Sequence, residues 1–105
     1  MKNNIVKLGV CAGRHNIPGL DGYIFQEILN PLDFEGMEKV ASQFMAAIDF
    51  GGMDHEGRRH KTCYLYVTGL TAAVFAAVKI LRLNGVDVVL MHYDRESGQY
   101  VPQSL

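Results

Sequence analysis

Apolar positions along the chain follow two rhythms. Three runs, NIVKLGVC (4–11), TCYLYV (62–67) and VDVVLMHY (86–93), are short, nearly continuous and rich in β-branched or aromatic residues, which predicts strands. TCYLYV has no polar face, as expected of a central parallel strand covered on both sides. Elsewhere the period lengthens. Met37, Val40, Ala41, Phe44, Met45 and Ile48 recur at helical spacing within 33–50, with Asp33 placed as an N-cap, Glu35 in the first turn and Gly51-Gly52 as a stop. A second, more apolar helix is predicted over 70–83, closed by Asn84-Gly85. YIFQEIL (23–29) fits either a short edge strand or a helical turn, and Pro31 ends it in both cases. DRESGQYVPQ (94–103) holds a Ser-Gly turn followed by QYV, so a terminal hairpin is expected, with Pro102 restricting its last strand to an edge. Residues 12–22 and the polar, glycine-rich 51–61 read as loops.

Strands alternating with helices predict a parallel sheet joined by right-handed crossovers. The expected fold is therefore α/β: a small three-layer Rossmann-like domain with a mainly parallel sheet and a C-terminal hairpin. A length of 105 residues suits one domain, 1–105, and half of the chain is hydrophobic, enough for a core. The formal net charge of −1 gives no global attraction to DNA, RNA or an anionic membrane, so any anion site must be local. The start of the chain has no signal-like h-region, and the apolar stretch 70–81 contains Lys79 and is too short to span a bilayer. A cytoplasmic protein with no polymeric nucleic acid and no membrane among its partners is expected. Cys11 and Cys63 sit in or beside strands, where a free thiol behaves as a small hydrophobe rather than as half of a disulfide.

In an open parallel sheet, ligands bind outside the carboxyl ends of the strands. That rule selects Gly13, Arg14 and His15 after the first strand, Thr68, Gly69 and Thr71 after the second, and His92, Asp94 and Arg95 at the end of the third. The joint Thr68-Gly69-Leu70-Thr71 opens a helix, where free amides and the helix dipole favour an anion. Thr68 as a plain N-cap and Gly69 as a tight turn would explain the same residues without a ligand. Arg14 and Arg95 are suited to phosphate, which Arg binds bidentately. No G-x-G-x-x-G and no Walker A motif is present.

His15 and His92 fall on the same edge and could act as acid, base or simple donor; a strand-end His92 satisfied by its surroundings is the plainer alternative. His55 and His60 belong to the basic loop DHEGRRHK, which reads as solvated or as a cover over an anion. Cys11-x₃-His15 with His60-x₂-Cys63 looks zinc-like, but neither spacing is that of a zinc finger and no metal or cofactor is expected. The pairs Asp54/Glu56 and Asp94/Glu96 lie in polar turns, where carboxylates normally face solvent.

LYVTGLTAAVFAAVKIL, a strand, then T-G-x-T, then an apolar helix, resembles the nucleotide-binding joint of CARF domains, the CRISPR-associated Rossmann fold. VVLMHYDRESGQYVPQ resembles the strand and hairpin that end some very small CARF-like proteins, and CAGRH their first ligand loop. Leu70 stands where a second Gly is common in that pattern, and Lys does not follow Thr71. The resemblance implies a homodimer that binds a cyclic oligoadenylate or related cyclic nucleotide. It marks Gly13, Arg14, Thr68, Gly69 and Thr71 as ligand contacts. Small relatives of this kind include ring nucleases, which cleave the messenger, and phage anti-defence sponges, which only hold it. Cleavage would need no metal, since a ribose 2′-hydroxyl can attack its neighbouring phosphodiester, with Arg14 and Arg95 stabilising charge and His15 or His92 moving the proton. At this length no effector domain is expected beside the fold. The alternative is a dimerisation or protein-interaction module without a nucleotide.

Overall fold

A computed structural model of the chain describes residues 4–13, 17–48 and 61–105. It contains, in chain order, β1 (Asn4–Cys11), β2 (Gly22–Phe25), α1 (Phe34–Ala47), β3 (Lys61–Tyr66), α2 (Thr71–Leu83), β4 (Asp87–Asp94) and β5 (Gln99–Ser104). The sheet order is β2-β1-β3-β4-β5, all parallel except for the antiparallel β4–β5 hairpin. The α/β class, the mainly parallel sheet and the terminal hairpin are those expected from the sequence, and YIFQEIL resolves as the edge strand β2.

Local chemistry places the helices as read. Asp33 accepts a hydrogen bond from the Gly36 amide at 3.0 Å and caps α1. At the other end of α2, Asn84 closes the helix and Gly85 takes φ +74°, a conformation that lets Val86 N–H return to Leu81 O. Ala73, Ala76 and Ala77 are buried on α2, and such small side chains let the helix lie close to the sheet. The sheet contributes Val6, Leu8, Val10, Cys63, Leu65 and Val88 to the same core.

The two helices share one face of the sheet. The two helices pack against each other. The crossovers β2→α1→β3 and β3→α2→β4 both move the same way across the sheet, so a right-handed path puts both helices on one face. Only the β1→β2 connection runs the other way, and its described residues hold no helix. Among the described residues β3 is therefore covered by helices on one side only. Its inward residues Cys63 and Leu65 are buried, while Tyr64 and Tyr66 on the other face are half-buried.

Gly9 shows how tightly that second face is arranged. A Cβ on Gly9 would collide with the Tyr23 ring and meet a Leu20 methyl at 3.1 Å. Gly9→Ala should therefore displace the ring and lower stability by about 1–3 kcal/mol, as overpacking does. Urea denaturation checks this, and an unchanged midpoint would show that the ring moves freely.

Candidate functional site

The strand order reverses direction between β1 and β3, because the chain leaves β1 toward β2 and leaves β3 toward β4. In an open α/β sheet the crevice beyond such a pair of carboxyl ends is the place for a ligand. A cavity of about 250 Å³ lies there, between Cys11 and Ala12 of β1, Gly69 and Leu70 after β3, and the segment from Phe25 to Pro31.

Thr68 builds its floor. It is only 4% exposed, the one buried polar residue among those described. Its hydroxyl accepts from the Cys11 amide at 3.0 Å and donates to the Cys11 carbonyl at 2.9 Å. The last β1–β3 register pair is Gly9 with Tyr66, so Thr68 extends that ladder by one step with a side chain in place of a strand backbone. Its proton is committed to Cys11, which makes Thr68 a positioning residue. It is not the helix cap either: Leu70 holds the N-cap position of α2, with no side-chain cap bond.

The amides that Thr68 positions are free. Gly69 is exposed at φ +81°, a conformation open to glycine, and the chain turns there into α2. Leu70 O accepts from Ala73 and Val74, but among the described residues nothing accepts from the N–H groups of Gly69, Leu70, Thr71 or Ala72. Such groups at a helix start attract an anion. The cavity beside them combines apolar walls, Phe25, Ile28, Pro31 and Leu70, with the polar Gln26 and Glu27.

The other expected site residues divide. Gly13, exposed at φ +86°, follows directly on the cavity wall at Ala12. Arg14, His15 and the basic loop through His60 lie outside the described residues. Thr71 opens α2 but lines a different space, an apolar groove of about 430 Å³ shared with Phe34, Glu38 and Phe75. His92, Asp94 and Arg95 do not reach the cavity. β4 runs past its last pairing with β3, Tyr66 with Met91, by three residues, roughly 10 Å. There the exposed His92 has Nε2 at 2.7 Å from Gln103 Oε1 across the hairpin, and Arg95 stands exposed in the turn. Asp94 serves the turn itself. Hydrogen bonds from the Ser97 side chain and the Glu96 amide hold its carboxyl below the ordinary range.

The cysteines act as core. Burial pushes the Cys63 thiol up to about 12, so it is neutral and no nucleophile. Cys63 pairs with Val6 on the helix side, whereas Cys11, an odd number of residues along β1, falls on the opposite parity, which separates the zinc-like pair. Among the described residues no three of His, Cys, Asp and Glu cluster as metal ligands. No described helix is long and apolar enough to cross a membrane.

The wall from Phe25 to Pro31 was not among the residues chosen from sequence. Its signal was there: once YIFQEIL is a parallel strand, the segment after it must lie on the carboxyl edge. No known protein family, curated protein or solved structure matches this chain.

Proposed function

We propose that the chain binds a cyclic nucleotide second messenger, a cyclic oligoadenylate or a relative, at this carboxyl edge and removes it from solution. The observation that carries the reading is the coincidence of a cavity at the β1/β3 reversal with the free amides of Gly69 and Leu70 on its rim. A phosphate on the amides of Gly69 and Leu70 leaves an attached base within reach of the apolar walls, with Gln26 and Glu27 available to its polar edge.

Removal by sequestration is the better supported outcome. Among the described side chains lining the cavity, Cys11 and Glu27 alone carry an ionisable group, and the Glu27 carboxylate repels the phosphate whose cleavage it would serve. Cleavage draws on Arg14 and His15, with His92 and Arg95 held at the hairpin. The alternative, an interaction module without nucleotide, is favoured by the apolar groove between the helices, where Phe75 is 68% exposed.

Thermal unfolding with a panel of cyclic nucleotides tests the proposal. At a hundred times its dissociation constant a ligand adds about 2.7 kcal/mol, a Tm rise of roughly 10 °C or more for a domain of this size. No shift across the panel would sink the nucleotide reading. Where a shift occurs, chromatography of the recovered nucleotide should return it intact; a linear product would make the chain a nuclease.

A further inference from the structure

The cavity wall carries a carboxylate that a bound phosphate does not explain. Glu27 lines the same cavity as Gly69 and Leu70, whose amides are free. It is exposed on the segment after β2, and among the described residues its carboxylate has no hydrogen-bond or ion-pair partner. A negative charge beside an anion weakens binding unless another part of the ligand offsets it. The neighbouring Gln26 points to the same chemistry. Its Nε2 donates to Tyr23 O at 3.3 Å, which leaves Oε1 without a partner. No lysine, arginine or histidine side chain lines the cavity among the described residues. Its polar wall is therefore rich in acceptors. At about 250 Å³ the cavity is smaller than the roughly 300 Å³ at which sites for whole ligands begin, so it takes one base and leaves the rest of the ring outside.

We propose that Glu27 selects guanine, so that the ligand of this site is a guanine-containing cyclic nucleotide. The inference rests on the nucleotide reading and names its base. Among the common nucleic-acid bases only guanine sets two donors, N1–H and the N2 amino group, side by side on one edge, where both oxygens of a carboxylate can accept from them. Adenine and cytosine set one amino donor beside a ring-nitrogen acceptor. Uracil sets one N–H between two carbonyls. Each of these would turn a lone pair toward the Glu27 carboxylate and leave it poorly satisfied. The Glu27 and Ile28 amides donate to nothing among the described residues, which leaves a donor on the same segment for guanine O6. The apolar side chains of Phe25, Ile28, Pro31 and Leu70 suit the faces of the base. The carboxylate that opposes the phosphate is thus the group that reads the base.

Isothermal titration calorimetry of the full chain with cyclic di-GMP and with cyclic di-AMP is the test. The two share ring and charge and differ only in the base. Cyclic di-GMP should bind about 10- to 100-fold more tightly, the range of a good bidentate base contact. Glu27→Gln sets a donor beside an acceptor, the complement of adenine, and should reverse the order. Glu27→Ala removes the group without replacing it and should bring the two affinities together. Because Glu27 is exposed, both variants should melt with the wild type in the absence of ligand. Equal affinities in the wild type, tighter binding of cyclic di-AMP, or a guanine preference that persists in Glu27→Gln overturns the inference and leaves the nucleotide reading standing. Binding of neither compound also overturns it, and if the wider panel gives no thermal shift the nucleotide reading falls as well.

Discussion

Thr68→Val should lower stability by about 2–4 kcal/mol, while Thr68→Ser should recover most of the loss. Val fills nearly the space of Thr, so the change isolates the hydroxyl. That hydroxyl partners both the Cys11 amide and the Cys11 carbonyl in a site where Thr68 itself is buried. Removing it leaves a donor and an acceptor unsatisfied, each worth about 1–3 kcal/mol when water cannot fully replace the partner. Cys11 is only half-buried, which places the expected value below the sum of the extremes. Urea titration should show a lower midpoint with an unchanged slope, and calorimetry a fall in Tm of roughly 10–20 °C. The same bonds hold the end of β1 at a fixed distance from the turn that presents the Gly69 and Leu70 amides. Affinity for any nucleotide found in the panel should therefore fall in the Val variant and return in the Ser variant. A Val variant as stable as wild type would remove Thr68 from its positioning role.

Thr68 also shows where sequence reasoning ran out. T-G-x-T is legible as a strand-to-helix joint because glycine permits the turn and the apolar period changes there. The partner of the Thr hydroxyl is Cys11, fifty-seven positions away, and no local pattern announces it. Tyrosine caused a different error. Counted as apolar, it turned Cys-Tyr-Leu-Tyr into an unbroken hydrophobic run, and hence into a strand covered on both faces. Counted as an amphipathic ring that tolerates water at its hydroxyl, it restores a period of two, with Cys63 and Leu65 inward and Tyr64 and Tyr66 outward. The placement of both helices on one face follows from the same strand assignments: a firm edge strand at 22–25 puts both crossovers on that face.

The hairpin residues lie away from the cavity for a geometric reason. Reading three loops onto one edge assumes that the strands end level. β4 outruns β3 by three residues, so His92, Asp94 and Arg95 are carried beyond the crevice while β2, the shortest strand, brings its loop into it. Strand identity was written in the hydrophobic pattern; the relative stagger of strands depends on pairing register, which a single sequence does not display.

Phe25→Ala should be the most damaging single change near the site, at about 3–5 kcal/mol. The ring is 2% exposed and stands at the end of β2, where it lines both the 250 Å³ cavity and a second space of about 350 Å³ against α1. It is thus at once core and partition. Removing it loses the transfer energy of a buried aromatic and joins two spaces, with little nearby that can collapse, since Pro31 fixes the following turn. Total stability of 5–15 kcal/mol is typical of such a domain, so the variant is expected to sit close to its unfolding threshold at room temperature. Phe25→Leu keeps most of the volume and should lose distinctly less. Urea midpoints of the two variants give the measure. A loss below about 1 kcal/mol for Ala would mean that the segment from Gln26 to Pro31 closes over the gap, and the cavity would then owe its shape to that loop rather than to the ring.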